Sequence, residues 1–248
     1  MKKIFNPLMG LQRGVVLAAG LLAVMPVWAQ SNLLAEHDFA VSAKEQSARE
    51  PRGLRAAAET GLKKMVAELG KNIAAGTLPE GFPFDVSDFS ELKGATLGSG
   101  FEVYTAAPQQ LLAANVPLDQ MVQGNGVWNF VVLVGKHPVA LLEMGKVNGQ
   151  WEVLGAGGAR LAQDIQQAAQ THAGKKAFRF VRIYQATSDL LEVQDTQAKA
   201  RYVPLIAARE TLHMLSPQAK DAPLPTGQDL MAGLQDAVRK NLAAHANH

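Results

Sequence analysis

Two acidic residues, Glu143 and Glu152, have the types and the spacing that come closest to catalytic chemistry in this sequence. Between them, Asn148-Gly149 separates two apolar runs, and this pair predicts a β-hairpin with a two-residue type I′ turn. Such a turn pairs Gly145 with Glu152 and Glu143 with Leu154. The two glutamates are then diagonal neighbours on one face of a sheet, with backbones about 7–8 Å apart.

Two aromatic residues, Trp128 and Phe130, are predicted to share that face with the carboxylates. A carboxylate pair about 5–9.5 Å apart, flanked here by aromatic rings, is the arrangement that glycoside hydrolysis uses. Glu143 and Glu152 are therefore candidate catalytic residues, and Trp128 and Phe130 are candidate ligand-binding residues. The alternative is structural: both glutamates lie at the solvated margin of the sheet and pair with Lys or Arg of a covering element, because most paired carboxylates have no catalytic role.

A glycine-rich stretch, Gly155-Ala156-Gly157-Gly158, ends a predicted strand and precedes a predicted helix. Backbone N–H groups at a helix start can hold an anion, and Arg160 beside them is a further candidate ligand-binding residue. A dinucleotide-binding fingerprint would need glycine at position 160 and a parallel strand before it. The alternative is a flexible joint between strand and helix.

Other patterns that would indicate a cofactor or a metal are absent from the sequence. The six histidines never have the HxH or HxxxH spacing of a metal site. Ser99, between two glycines, lacks the outer spacing of a nucleophile elbow. We therefore predict neither a cofactor nor a metal site.

The stretch that must position these residues predicts a three-stranded antiparallel meander at about 127–156. Its first turn, 135–138, would pair Val134 with Val139 and Val131 with Leu142. Because side chains alternate along a strand, this register assigns each residue to a face. One face carries Val131, Leu133, Leu142, Met144, Trp151 and Val153, and the other carries Trp128, Phe130, Val132, Val134, Leu141 and Leu154 with the two glutamates. Both faces are apolar, so both must be covered.

Amphipathic helices are the candidates for these covers. Apolar residues recur with a helical period at Leu54, Ala58, Leu62, Met65, Val66, Leu69 and Ile73, and again at Leu230, Leu234, Val238 and Leu242. A second set of strands is predicted at about 178–205. The fold class is therefore α+β, a twisted antiparallel sheet with helices packed on it. The predicted organisation is a helical and loop region at 30–98 that packs on the sheet, a core at 99–215, a Pro-rich linker at 216–226, and a C-terminal helix and tail at 227–248.

The first residues predict a signal peptide, 1–29, that is cleaved before Gln30. Lys2, Lys3 and Arg13 form a basic region, and the apolar run that follows is shorter than a membrane span. Val27-Trp28-Ala29 then has the pattern of a signal-peptidase site. The alternative is an uncleaved anchor helix. The chain contains no cysteine, which excludes a lipid-modified cysteine and any disulfide.

These features predict an exported protein, periplasmic or secreted, of a bacterium. The full chain has 24 Lys plus Arg and 22 Asp plus Glu, and because three of the basic residues precede Gln30, the mature chain is near neutral. No nucleic-acid partner is therefore predicted, and the membrane is met only through the signal peptide before cleavage. The first hypothesis is a non-catalytic protein that binds a partner protein or a small ligand. The alternatives are a glycan hydrolase acting through Glu143 and Glu152, and a peripheral inner-membrane protein held by the 54–73 helix.

Overall fold

The computed structural model describes residues 50–73, 78–113, 115–172, 178–194, 197, 199–214 and 223–246. The predicted signal peptide, its cleavage site before Gln30 and most of the predicted 216–226 linker lie outside the described residues. All described residues belong to one compact unit.

Seven strands form one open mixed sheet in the order β4-β3-β2-β1-β5-β6-β7. The strands are β1 (Ala95–Thr105), β2 (Gln123–Val134), β3 (His137–Val147), β4 (Gln150–Gly157), β5 (Phe178–Ile183), β6 (Ser188–Gln194) and β7 (Ala200–Pro204). All neighbouring strands are antiparallel except β1 and β5, which run parallel with Val103 opposite Phe180. The predicted α+β class is confirmed. Strand β1 is central and joins the meander β2–β4 to the second set, β5–β7.

Within the described part of the chain, five α-helices accompany the sheet: α1 (Leu54–Asn72), α2 (Pro108–Ala113), α3 (Ala159–Thr171), α4 (Ile206–Thr211) and α5 (Gly227–Ala246). Among the described residues, none of these helices combines the length and the apolarity that crossing a membrane requires.

The predicted turn at Asn148-Gly149 is confirmed. Asn148 has φ 51° and Gly149 has φ 81°, and Val147 pairs with Gln150 across the turn. Two successive positive φ angles are what a type I′ turn requires, and they explain why Asn and Gly occupy these positions.

The predicted register of the other turn is wrong by two residues at the turn itself and by one residue farther along the strands. The turn contains two residues, Gly135 and Lys136, so that Val134 pairs with His137, and Val131 pairs with Leu141 instead of Leu142. Gly135 has φ 61°, which allows the tight turn, and a bulge follows beside Val132 and Leu133. A one-residue shift moves a strand's side chains to the other face.

This shift redistributes the predicted faces. Leu142 and Met144 pair with Phe130 and Trp128 and share their face, whereas Glu143 lies opposite Asn129 on the other face. The predicted placement of Glu143 beside the two aromatic residues is therefore corrected.

A second bulge, at Leu154, changes the pairing between β3 and β4. Met144 pairs with Val153 as predicted, but Glu143 pairs with Gly155 instead of Leu154. The bulge leaves Leu154 as an extra residue whose side chain packs on Gly145, and it places Gly155 beside Glu143.

Helix α1 covers the face of the meander that carries Trp128 and Phe130. The predicted apolar stripe begins with Leu54, Ala58 and Leu62, and all three are buried in one cluster with the two aromatic residues. A Cβ at Gly61 would clash with Val153 Cγ2, so the glycine allows α1 to approach β4 closely. Met65, Val66 and Leu69 of the stripe are partly buried against the same cluster, so the apolar stripe is a core face.

Helix α3 covers part of the opposite face. Its apolar side, Ala162, Ile165 and Ala168, is buried in a cluster that includes Val131 and Leu141. A helix is about 10 Å wide, whereas seven strands extend over roughly 29 Å. Because α3 cannot cover the whole face, a part of the sheet beyond its N-terminus remains open.

Helix α5 covers the second set of strands on the α1 side of the sheet. Leu230, Leu234 and Val238 of its predicted stripe are buried, and Leu242 is exposed. A capping box begins this helix: Asp229 Oδ2 accepts from the Thr226 N–H at 2.8 Å, and Thr226 Oγ1 accepts from the Asp229 N–H at 3.2 Å.

A buried ion pair joins β5 and β6 beneath this cover. Arg179 Nη2 donates to Glu192 Oε2 at 2.7 Å, and the Tyr202 hydroxyl donates to the same oxygen at 3.0 Å. Burial raises the pKa of Glu192, and the charge of Arg179 opposes this rise. The carboxylate is held by both partners inside the core, so we regard this group as structural.

Candidate functional site

A cleft of about 260 Å³ lies on the α3 face of the sheet, where that helix begins. It is lined by the side chains of Asn129, Leu141, Glu143, Leu161 and Arg182 and by residues 155–158. We call it the Asn129 cleft.

Three strands bring the floor of the Asn129 cleft together. Asn129 on β2 lies opposite Glu143 on β3, and Glu143 lies opposite Gly155 on β4. A Cβ at Gly155 or Gly157 would meet no atom within 4 Å. The cleft therefore exists because β4 carries no side chain at the two positions that face α3.

Asn129 is a polar residue in a buried position. Its side chain is 2% exposed, and among the described residues its Nδ2 has no hydrogen-bond partner. A buried unpaired donor costs about 1–3 kcal/mol of folding free energy. Because buried amides are ordinarily paired, this donor is a candidate ligand contact.

Arg182 supplies a fixed positive charge to the Asn129 cleft. Its Nε donates to Asp189 Oδ1 at 2.7 Å and its Nη2 to Asp189 Oδ2 at 3.1 Å. The guanidinium carbon also lies 5.3 Å from the centre of the Phe180 ring. Burial by itself would lower the pKa of Arg182, but the hydrogen bond and charge of Asp189, with the charge of Glu143, raise it. The guanidinium is thus held in place and stays protonated.

The N-terminus of α3 forms one end of the Asn129 cleft. Its N-cap residue, Gly158, has φ 67° and provides no side-chain cap. The first helical hydrogen bond runs from the Ala162 N–H to the Gly158 carbonyl at 2.9 Å. The N–H groups of residues 159–161 therefore have no acceptor within the helix and carry the positive end of its dipole.

The two predicted catalytic candidates are diagonal neighbours on one face, as predicted, but only one of them lines the Asn129 cleft. Glu143 is half-buried and lines the Asn129 cleft, whereas Glu152 is exposed and lies outside it. Both project from the α3 face, as diagonal neighbours on β3 and β4. Leu154 packs on Gly145, which is the residue opposite Glu152.

The three predicted ligand-binding residues also lie outside the Asn129 cleft. Trp128 is 7% exposed and Phe130 is fully buried, both beneath α1 on the other side of the sheet. Arg160 is exposed on the first turn of α3 and does not line the cleft. The predicted anion site at the start of this helix does coincide with one end of the cleft, but with Asn129 and Arg182 as its neighbouring side chains.

A second cavity of about 440 Å³ lies where β1 ends and β2 begins. Its polar side chains are neutral and include Thr105, Gln110, Asn125 and Tyr184. Asn125 Nδ2 already donates to the Tyr184 hydroxyl at 3.2 Å. We favour the smaller Asn129 cleft as the functional site because it contains an unpaired buried donor and charges of both signs.

Comparisons with known proteins give no independent guide to this site. No family model, no curated protein and no solved structure matches the chain. Within the described part of the chain, no group of three or more His, Cys, Asp or Glu side chains could hold a metal ion.

Asn129 and Arg182 were not predicted as site residues from the sequence, although the pattern of residues around Asn129 offered an indication. Asn129 is the polar residue within the apolar run of β2, Val127 to Val134, and a polar residue at such a position is informative. No local pattern indicated Arg182, because this residue approaches Glu143 only through the pairing of β5 with β1.

Proposed function

We propose that this protein is a non-catalytic binding protein that holds a small polar ligand in the Asn129 cleft. The observation that carries the proposal is the unpaired, buried Nδ2 of Asn129, a residue that lines an open cleft. A ligand acceptor would remove the penalty of that unpaired donor, which gives the bound state an advantage that the free protein lacks.

The lining of the cleft supports a small ligand in preference to a partner protein. Drug-sized ligands occupy pockets of about 300–1,000 Å³, and the Asn129 cleft, at about 260 Å³, suits a smaller molecule. Its polar groups converge from four separate elements, β2, β3, β5 and the start of α3. Such convergence of a few polar groups on one concave site is typical of small-molecule recognition.

Filling the cleft tests the proposal. Gly155→Val places a side chain in the open space between Glu143 and α3, and Gly94→Val is the matched control because a Cβ at Gly94 also meets nothing within 4 Å. We would measure thermal unfolding of the wild type and both variants with a library of polar metabolites at millimolar concentration. A ligand at about 100 times its Kd should stabilise the wild type by about 2.7 kcal/mol, a shift of several degrees.

The expected result is a compound that raises the Tm of the wild type and of Gly94→Val but not of Gly155→Val. A compound that stabilises all three proteins equally binds elsewhere and contradicts the proposal. A library without any stabilising compound contradicts it as well.

The hydrolase alternative has one feature in its favour, the position of Glu143 in the Asn129 cleft. Hydrolysis needs a second carboxylate beside the ligand, and Glu152 lies outside the cleft. We expect the wild type to release no reducing ends from peptidoglycan or from soluble glycans. Release that is lost in both Glu143→Gln and Glu152→Gln, with folding intact, would establish the enzyme instead.

Export of the protein to the periplasm or the medium is part of the same proposal. It rests on the basic residues Lys2 and Lys3, the apolar run up to Val27 and the cleavage pattern Val27-Trp28-Ala29. We favour this proposal over a peripheral membrane protein because the apolar stripe of α1, on which that alternative rests, packs on the sheet.

A further inference from the structure

We infer that the ligand of the Asn129 cleft is a small zwitterion of the α-amino acid type, with its ammonium group on Glu143 and its carboxylate on Asn129 and the N-terminus of α3. This inference rests on the proposed function and specifies its ligand class. It follows from the way in which donors and acceptors are divided within the cleft.

The acceptor end of the cleft is Glu143. An ionised carboxylate accepts hydrogen bonds and donates none. Glu143 lies between Asn129 on β2 and Gly155 on β4. Because Gly155 has no side chain, the space beside the carboxylate is open. An ammonium group fits this environment because it donates three hydrogen bonds and carries the opposite charge.

The donor end of the cleft combines Asn129 with the first turn of α3. The N–H groups of residues 159–161 have no acceptor within the helix, and Gly158 and Leu161 line the cleft at this end. Helix N-termini bind carboxylates through such groups and through the helix dipole. The amide of Asn129 can turn about its broad χ2 torsion to direct Nδ2 toward an acceptor in the cleft. The unpaired buried donor is the second, independent indication that a ligand acceptor belongs here.

The balance of charge decides between ligand classes. Arg182 is already paired bidentately with Asp189, so Glu143 gives the cleft a surplus of negative charge. A simple anion would be repelled by that carboxylate, and a simple cation would leave the donors of Asn129 and α3 unpaired. A zwitterion pairs its ammonium group with Glu143 and its carboxylate with the donors of Asn129 and α3. The lining contains no aromatic side chain on which a sugar ring would stack.

The experiment is isothermal titration calorimetry on the mature protein with glycine, L-alanine and L-serine as probes. Acetate and methylammonium each represent one half of the zwitterion and serve as comparison ligands. Glu143→Gln removes the charge at the acceptor end, and Glu152→Gln is its matched control because it removes a neighbouring carboxylate on the same face outside the cleft. Gly155→Val fills the cleft.

At least one amino acid is expected to bind, and acetate and methylammonium about tenfold or more weakly, because each lacks one of the two charged contacts. Glu143→Gln should weaken amino-acid binding by about tenfold or more, since hydrogen bonds to charged groups are worth about 1.5–3 kcal/mol. Glu152→Gln should change it by no more than about twofold, and Gly155→Val should abolish it.

Other outcomes separate this inference from the proposed function. Amino acids that fail to bind, while another metabolite stabilises the wild type but not Gly155→Val, would overturn the ligand class and leave the binding site intact. Equal amino-acid affinity in Glu143→Gln and wild type would overturn the assignment of the ammonium to Glu143. Binding that Gly155→Val leaves unchanged would remove the cleft as the site, and the proposed function with it.

Discussion

At the scale of single residues, the structure places side by side two polar residues that interrupt apolar strands. Asn129 and Glu143 lie directly opposite each other on β2 and β3, and their neighbours along each strand are buried. Natural proteins keep such polar residues within apolar strands mainly at functional sites. Interactions in other parts of the fold offset their cost in stability.

Asn129→Leu should therefore stabilise the protein and remove its ligand binding. Leucine has the same branched shape, and it eliminates a buried donor that lacks a partner among the described residues. We expect the free energy of unfolding, measured by urea denaturation, to rise by about 1 kcal/mol. Asn129→Ala is the control, because it also removes the amide but leaves a cavity. A fall of more than about 1 kcal/mol in Asn129→Leu would show that the amide is paired within the fold.

At the scale of elements, turns and bulges decide which side chains meet. The turn at Asn148-Gly149 fixes the pairing of β3 with β4 near its own end, but the bulge at Leu154 then shifts the strand by one residue. Glycine rather than leucine consequently lies beside Glu143. An Asn-Gly pair is a strong local signal, whereas a bulge depends on the surrounding packing, so the first was predictable and the second was not.

Gly149→Ala should destabilise the hairpin through the backbone alone. Gly149 has φ 81°, and a Cβ there would meet nothing within 4 Å, so steric contact with other residues is not involved. A left-handed conformation costs a residue other than glycine about 1–2 kcal/mol, and we expect a loss of that size in urea denaturation.

Gly94→Ala is the matched control for this prediction. Its added Cβ also meets nothing, and its φ lies outside the left-handed range. Stability should stay the same or rise by up to about 1 kcal/mol, since alanine restricts the unfolded chain. Equal losses in both variants would mean that the effect belongs to glycine in general and not to the turn.

At the scale of the whole molecule, the two faces of the sheet are covered unequally. Helices α1 and α5 lie on one face, α1 over β4–β1 and α5 over β5–β7, whereas α3 occupies only part of the other. The incomplete cover leaves room for the Asn129 cleft on the α3 side. The same arrangement buries Trp128 and Phe130 under α1, away from any ligand in that cleft.

Export is a prediction about the whole chain. Expressed in a bacterium from the full sequence, the mature protein should be recovered from the periplasm or the medium and should begin at Gln30. Intact-mass and N-terminal peptide spectrometry measure this directly. Substituting Ala29 with a bulky charged residue, Ala29→Arg, should block cleavage because the site requires a small residue. Retention of Met1 on most of the wild-type protein would contradict the prediction.

The sequence by itself determined the features that depend on local pattern. The periods of the apolar residues predicted α1 and α5 and the class of fold, and Asn148-Gly149 located one turn, because helical period and positive φ are properties of a few adjacent residues. Only the tertiary structure decided which face Glu143 occupies, since one tight turn and one bulge shift the register by a residue. Asn129, Glu143, Gly155 and Arg182 come from four different strands. Their meeting depends on strand order and on how far α3 extends over the sheet, which are long-range outcomes of packing that no short stretch of sequence encodes.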